Sequence, residues 1–265
     1  MKTFSTYIKK YLENRPFFYS YIRPQEASLF YERISKMKGP ILDFGCGDGF
    51  FANAIFKKKY INVGLDISSS RMEEARKLNI YKSIKTYDGN TIPFKNNHFN
   101  TIISNCVFEH IPQINESVKE MHRVLKTGGL LMTTVMCSSW NANLLGGKIL
   151  GKKYVDWFNK IQHHDSLLSK KEWAHLFKIS GYEIVESIDY LFEKAAQKTE
   201  IYHYLSFPSL LSYKLFKKWQ LFPIISQKKI YEIEELIKKD TKKPSACFFV
   251  LKKLEIINHK INDRK

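Results

Sequence analysis

The chain has four cysteines in 265 residues, Cys46, Cys106, Cys137 and Cys247, and no C-x-x-C pair among them. That spacing supplies neither a disulfide framework nor a metal knuckle, so no metal is expected and a reducing, cytoplasmic setting is. Long apolar runs are also missing. The longest uninterrupted one, Ala246 to Leu251, is far short of the roughly 20 residues of a membrane-crossing helix. The first residues carry Lys9 and Lys10 but no apolar stretch after them, so no secretory leader is expected. Acid is scarce: 26 Asp and Glu stand against 43 Lys and Arg, a net charge of +17. Such a charge favours anionic partners. Arginine is scarce too, however, with only seven, and the lysines are spread along the whole chain. Surfaces that read nucleic acid draw on clustered arginine, so nucleic acid is not favoured as a partner. Weak, salt-dependent attraction to an anionic membrane surface or an acidic substrate is compatible with the charge.

The informative stretch is Ile41-Leu42-Asp43-Phe44-Gly45-Cys46-Gly47-Asp48-Gly49-Phe50-Phe51. An apolar run reading as a buried strand breaks into three alternating glycines, and the apolar stretch Phe50 to Phe56 then reads as a helix. Glycine at a strand-to-helix turn lets the backbone approach a ligand, and the helix start offers free N–H groups. A phosphate-binding loop would end in Gly-Lys-Ser/Thr, but Asp48-Gly49-Phe50 stands there. The dinucleotide pattern G-x-G-x-x-G would need glycine at position 50, which is Phe50. The acidic Asp48 suits a cationic ligand better than a pyrophosphate.

These residues resemble motif I of the class I S-adenosylmethionine-dependent methyltransferases. Further resemblances follow in order over about 95 residues. They are Ile61-Asn62-Val63-Gly64-Leu65-Asp66, Tyr87-Asp88-Gly89, Ile92-Pro93-Phe94 with His98 to Asn105, Val107-Phe108-Glu109-His110-Ile111-Pro112, and Leu125-Lys126-Thr127-Gly128-Gly129. The nearest subgroup is the type 11, small-molecule (quinone- and sterol-like) enzymes. Two departures are Asn100 and Thr127, where the family usually has Asp and Pro.

The resemblance implies S-adenosyl-L-methionine as cofactor, held by Asp43, Gly45, Cys46 (through its backbone), Gly47, Asp66, Ile67, Asp88, Gly89 and Asn105. Asp66 would take the ribose hydroxyls, lying 21 positions after Gly45, and Asp88 the adenine amino group. Each has a plainer reading. Asp66 suits a helix start, Asp88-Gly89 a turn, and Asn105 a strand end with no ligand. The family has no universal catalytic residue, because the leaving group is already activated. His110, on the loop after the fourth strand, is the candidate base; ordering of that loop by Glu109-His110 is the alternative. His163-His164-Asp165 is a second candidate, poor as a metal site because no third ligand is suitably spaced.

Between 40 and 135 strands and helices alternate, which means a parallel sheet with helices on both faces. The expected strands are 40–44, 61–66, 83–86, 100–105 and 129–135, and the helices 49–58, 69–78 and 114–125. The expected fold is therefore α/β, a Rossmann-like doubly wound seven-stranded sheet, mostly parallel with an antiparallel last strand. A helical N-terminal segment (1–37), broken by Pro16 and Pro24, precedes the methyltransferase domain (38–254). That domain divides into a cofactor-binding core (40–135), a substrate-side segment (136–168) and a helical insertion before the last strand (188–245). A basic tail (255–265) ends the chain. Ser169-Lys170-Lys171-Glu172 is a capping box opening a helix that ends near Gly181.

Within 209–222, Leu211, Leu215, Trp219 and Phe222 fall on one helical face and Lys214, Lys217, Lys218 and Gln220 largely on another. A cap over the active site and a peripheral membrane contact are both open readings of that helix. The expected function is methyl transfer to a small-molecule, lipid or glycan acceptor. The alternatives are an RNA or protein methyltransferase, or a non-catalytic cofactor-binding subunit. Amino-methylating enzymes carry Asn/Asp-Pro-Pro-Tyr/Phe where this chain has Asn105-Cys106-Val107-Phe108. The Pro-Cys and Thr-Cys pair of RNA cytosine enzymes is missing too. Acceptor identity and oligomeric state are not written in these motifs.

Overall fold

In the computed structural model, residues 3–255 are described except 59, 68–70, 222 and 224. Seven strands form one sheet: β1 (Ile41–Phe44), β2 (Ile61–Ile67), β3 (Tyr81–Tyr87), β4 (Phe99–Asn105), β5 (Leu125–Met136), β6 (Tyr182–Tyr190) and β7 (Ala246–Lys253). Their order is β3-β2-β1-β4-β5-β7-β6. β1 to β5 run parallel, and β7 runs antiparallel between β5 and β6. The central strands are covered on both faces, so apolar residues fill successive positions instead of alternating with polar ones. Ile41, Ile103, Met132, Phe248 and Val250 enter one core layer. Their neighbours Leu42, Ile102, Leu131, Phe249 and Leu251 enter the other.

The second layer is closed by α5 (Ile114–Val124) and α9 (Lys170–Ile179). α9 opens on the expected capping box: Ser169 Oγ accepts the Glu172 N–H and Glu172 accepts the Ser169 N–H. The first layer is closed by α1 (Phe4–Asn14), α2 (Tyr19–Tyr31), α3 (Phe50–Ile55), α4 (Met72–Leu78), α6 (Ser139–Asn143), α8 (Lys152–Gln162) and α10 (Glu193–Leu205). α7 (Leu145–Leu150) bridges α6 and α8, α11 (Phe207–Phe216) follows α10, and α12 (Gln227–Lys239) packs through Ile230 and Ile233 on Ile8, Leu12 and Tyr21. Among the described residues no helix is long and apolar enough to cross a membrane.

Three expectations change. Pro24 lies inside α2 and does not break it. A proline forfeits one backbone bond, and packing against α1 and α10 outweighs that loss. The helix expected over 209–222 ends at Phe216, because Lys217 turns left-handed at φ 56°. Trp219 therefore leaves the helix and points inward; Phe222 lies outside the described residues. The fifth strand, expected over 129–135, begins at Leu125, and residues 126–129 enter it as a bulge against β4, between the pairs Phe99–Leu125 and Thr101–Leu130. Of the basic tail, 256–265 lies outside the described residues.

Candidate functional site

The glycine loop leaves β1 at the carboxyl edge of the sheet, where such folds bind ligands. The Gly45 and Cys46 amides both donate to the Leu65 carbonyl, at 2.8 and 3.2 Å, which fastens the loop to β2. Gly45 has φ +76°, and a Cβ there would collide with the Val107 side chain on the loop after β4. Gly47, at φ +52°, faces open space instead, so its bare backbone is presented to a ligand. A cleft above this loop is lined by Asp43, Gly45, Cys46, Gly47 and Asn105, five of the residues expected to hold cofactor.

Three carboxylates organise the loop differently from one another. Asp66 accepts the Gly47 amide on Oδ2 at 2.6 Å and the Ile67 amide on Oδ1 at 2.8 Å, so it clasps the loop to the end of β2. Asp48 does not offer its charge to a ligand. Its Oδ2 is held by Arg15 at 2.9 Å and Arg71 at 3.1 Å, and its Oδ1 accepts the Phe50 amide at the start of α3. Among the described residues, the acid that faces the cleft without a cation on it is Asp43, buried in its floor. Burial pushes its carboxyl up to about 7, against the hydrogen bond donated by the Tyr81 hydroxyl at 2.7 Å and with a further upward push from Asp66.

The roof of the cleft comes from α1, α2 and their connection, through Tyr11, Arg15, Tyr19 and Arg23. The sequence reading missed what anchors it. Glu26, fully buried, binds Arg23 at 2.7 Å, Asn105 Nδ2 at 3.0 Å, the Tyr190 hydroxyl at 3.0 Å and the Cys106 thiol at 3.1 Å. Asn105 is oriented from its other side by the Thr134 hydroxyl at 2.9 Å. The Tyr11 hydroxyl, buried at the cleft, has no hydrogen-bond partner among the described residues. The signal for this roof was the Arg23/Glu26 pair, one helical turn apart in an otherwise aromatic segment.

The remaining expected residues lie elsewhere. Ile67 and Gly89 sit at the ends of β2 and β3, where a Cβ on Gly89 would be 3.9 Å from Ile67. Asp88 accepts the Asn90 and Thr91 amides, both at 2.9 Å; these bonds hold its carboxyl below the usual range. None of Asp66, Ile67, Asp88 and Gly89 lines the cleft under α2. Nor does His110. Its Nδ1 is 2.9 Å from the His163 carbonyl, and its ring lies 5.4 Å from that of His164. A carbonyl only accepts, so it is Nδ1 that donates to it. Burial, with His110 adding, pushes His164 down to about 4. His163, His164 and Asp165 form no metal-holding cluster among the described residues.

Trp219, expected on the apolar face of a helix that caps the site or lies on a membrane, falls beyond the end of α11; it stacks on Tyr213 at 4.2 Å, lies under Arg71 at 5.2 Å, and walls the cleft. On its far side, and that of Tyr19, opens a second pocket of about 420 Å³ lined by Phe18, Trp157, Ile161, Tyr204, Phe207 and Leu210.

This strand order, with a glycine loop after β1 and carboxylates at the ends of β1, β2 and β3, defines the class I fold of S-adenosylmethionine-dependent methyltransferases. A family model described as a methyltransferase domain matches residues 19–187. The malonyl-[acyl-carrier protein] O-methyltransferase of Legionella pneumophila is 30% identical over 123 residues, 43% of this chain and 43% of that protein. The ubiquinone biosynthesis O-methyltransferase of Bartonella quintana is 26% identical over 155 residues, 56% of this chain and 62% of its own length. The chain thus spans about half the length of these relatives. A solved S-adenosylmethionine-dependent methyltransferase from Thermotoga maritima superposes with a TM-score of 0.55 at 17% identity, over 89% of this chain and 92% of that one. The chain belongs to the methyltransferase-domain family.

Proposed function

We propose that the protein transfers a methyl group from S-adenosyl-L-methionine to a small-molecule, lipid or glycan acceptor by in-line displacement. The observation that carries this reading is the cleft itself. A bare-backbone glycine loop faces a buried carboxylate, and an aromatic-lined pocket opens on the far side of Tyr19 and Trp219. S-adenosylmethionine supplies a methyl group already activated on a sulfonium, so the protein's task is positioning and the exclusion of water.

The residues fit that cofactor. Asp43 suits a cationic amino group, and the guanidiniums at the roof suit a carboxylate. Asp66, held by the Gly47 and Ile67 amides at the carboxyl end of β2, is the residue for the ribose hydroxyls. Asp88 keeps Oδ2 for the adenine side. Gly45, Cys46, Gly47, Ile67 and Gly89 present backbone, and Asn105 is held ready by Glu26 and Thr134. His110, on the loop after β4 with Nδ1 turned to the His163 carbonyl, is the base for an acceptor hydroxyl; His110→Ala should lower turnover much more than cofactor affinity. The relatives named for a malonyl carrier and for ubiquinone biosynthesis support an acceptor other than nucleic acid. The test is turnover of methyl-labelled S-adenosylmethionine with a panel of phenolic, carboxylic and polyprenylated acceptors. Label entering one of them supports the reading; label entering only RNA or protein overturns it.

A further inference from the structure

A surface helix normally buries one apolar stripe and exposes the other side. α11 buries no residue, although its sequence, Phe-Pro-Ser-Leu-Leu-Ser-Tyr-Lys-Leu-Phe, is mostly apolar. Phe207 is 70% exposed, Leu211 52%, Leu215 66% and Phe216 58%. Beside it, Trp157 and Ile161 of α8 are 49% and 41% exposed, and both share the apolar pocket with Phe207 and Leu210. So the open apolar face continues directly into the pocket, which the cofactor cleft borders at Tyr19 and Trp219.

The charge on this face is mainly positive, with Asp156 and Asp165 its exposed acids. From Phe207 to Leu221 there is no acidic residue, and Lys214, Lys217 and Lys218 are all exposed. Lys153 and Lys160 add exposed cations on α8, whose one acid, Asp156, is already paired with Lys152 at 2.6 Å. Exposed apolar side chains ringed by lysine match the acyl boundary and headgroups of an anionic bilayer. We propose that α11 and the outer face of α8 dock on an anionic lipid surface, and that the methyl acceptor is a lipid resident there whose apolar chain lies in the pocket. The acceptor half rests on the methyl-transfer reading above.

The experiment is co-sedimentation of the full chain with vesicles of phosphatidylcholine alone or mixed with phosphatidylglycerol, at low and high salt. S-adenosylmethionine binding is measured alongside by calorimetry. The wild type should partition onto the anionic vesicles only, and less so in high salt. Brominated acyl chains should quench emission that is lost in Trp157→Phe. The double variant Leu211→Glu/Leu215→Glu, outside both the cleft and the pocket, should lose about tenfold or more in partitioning, with cofactor affinity unchanged. A wild type that binds cofactor but ignores anionic vesicles overturns the docking. So does a dimer that the double variant splits, which would make the face an interface between copies. Vesicle binding without cofactor binding overturns the acceptor half, together with the reading it rests on.

Discussion

Asp43 is a carboxylate near the end of β1, almost wholly buried at the floor of the cleft. With its carboxyl pushed up from 3.8 to about 7, the folded chain holds more protons than the unfolded one across that interval. Its contribution to stability is therefore fully present below 3.8 and lost as pH rises through about 7. A cationic cofactor favours the ionised form, so it should bind more tightly as pH rises between about 6 and 8. Calorimetry across that range should show a falling Kd for the wild type and a flat one for Asp43→Asn; a flat wild-type profile would contradict the assignment. Gly45 is a second single-residue test. Gly45→Ala forces a left-handed alanine against the Val107 side chain, at a cost of roughly 1–3 kcal/mol in backbone strain alone. Thermal melting should show the lost stability, and cofactor titration the lost binding. A variant as stable as the wild type would mean that the loop is free to move.

At the scale of elements, the roof over the cleft depends on one carboxylate. Glu26→Ala leaves Arg23, 22% exposed at the cleft, without its partner and frees Asn105 and Tyr190. Breaking a fully buried pair typically costs about 3–5 kcal/mol, and the water that reaches Arg23 brings the loss below that. A urea midpoint that drops with unchanged slope, accompanied by faster amide exchange in α2, would match; a midpoint within error of the wild type would not. The elements themselves were legible where a local rule decided them. The central strands stood out as apolar runs, and α9 through its capping box. Pro24 and the helix over 209–222 were misread because the outcome was settled elsewhere. α2 is held by packing on α1 and α10, and α11 is stopped by the left-handed Lys217 just before Trp219 turns inward.

At the scale of the whole molecule, the parallel sheet explains why so much of the candidate site could be read in advance. Every strand of a parallel sheet ends at the same edge, so Asp43, the glycine loop and Asn105 converge on one cleft from motifs far apart in sequence. What could not be read depends on long-range partners. Glu26 meets side chains 79, 80 and 164 positions away. The apolar pocket is assembled from the α1–α2 connection, α8, α10 and α11, none of which marks it alone. The charge of +17 does not by itself point to a partner. The central claim is that this edge holds S-adenosylmethionine, and its most direct test is calorimetric titration of the purified chain with that compound, alongside Asp66→Ala. Saturable one-site binding is predicted, weakened by about 1 kcal/mol or more in the variant, the scale of a lost hydrogen bond to a charged group. No binding by a folded wild type would contradict it.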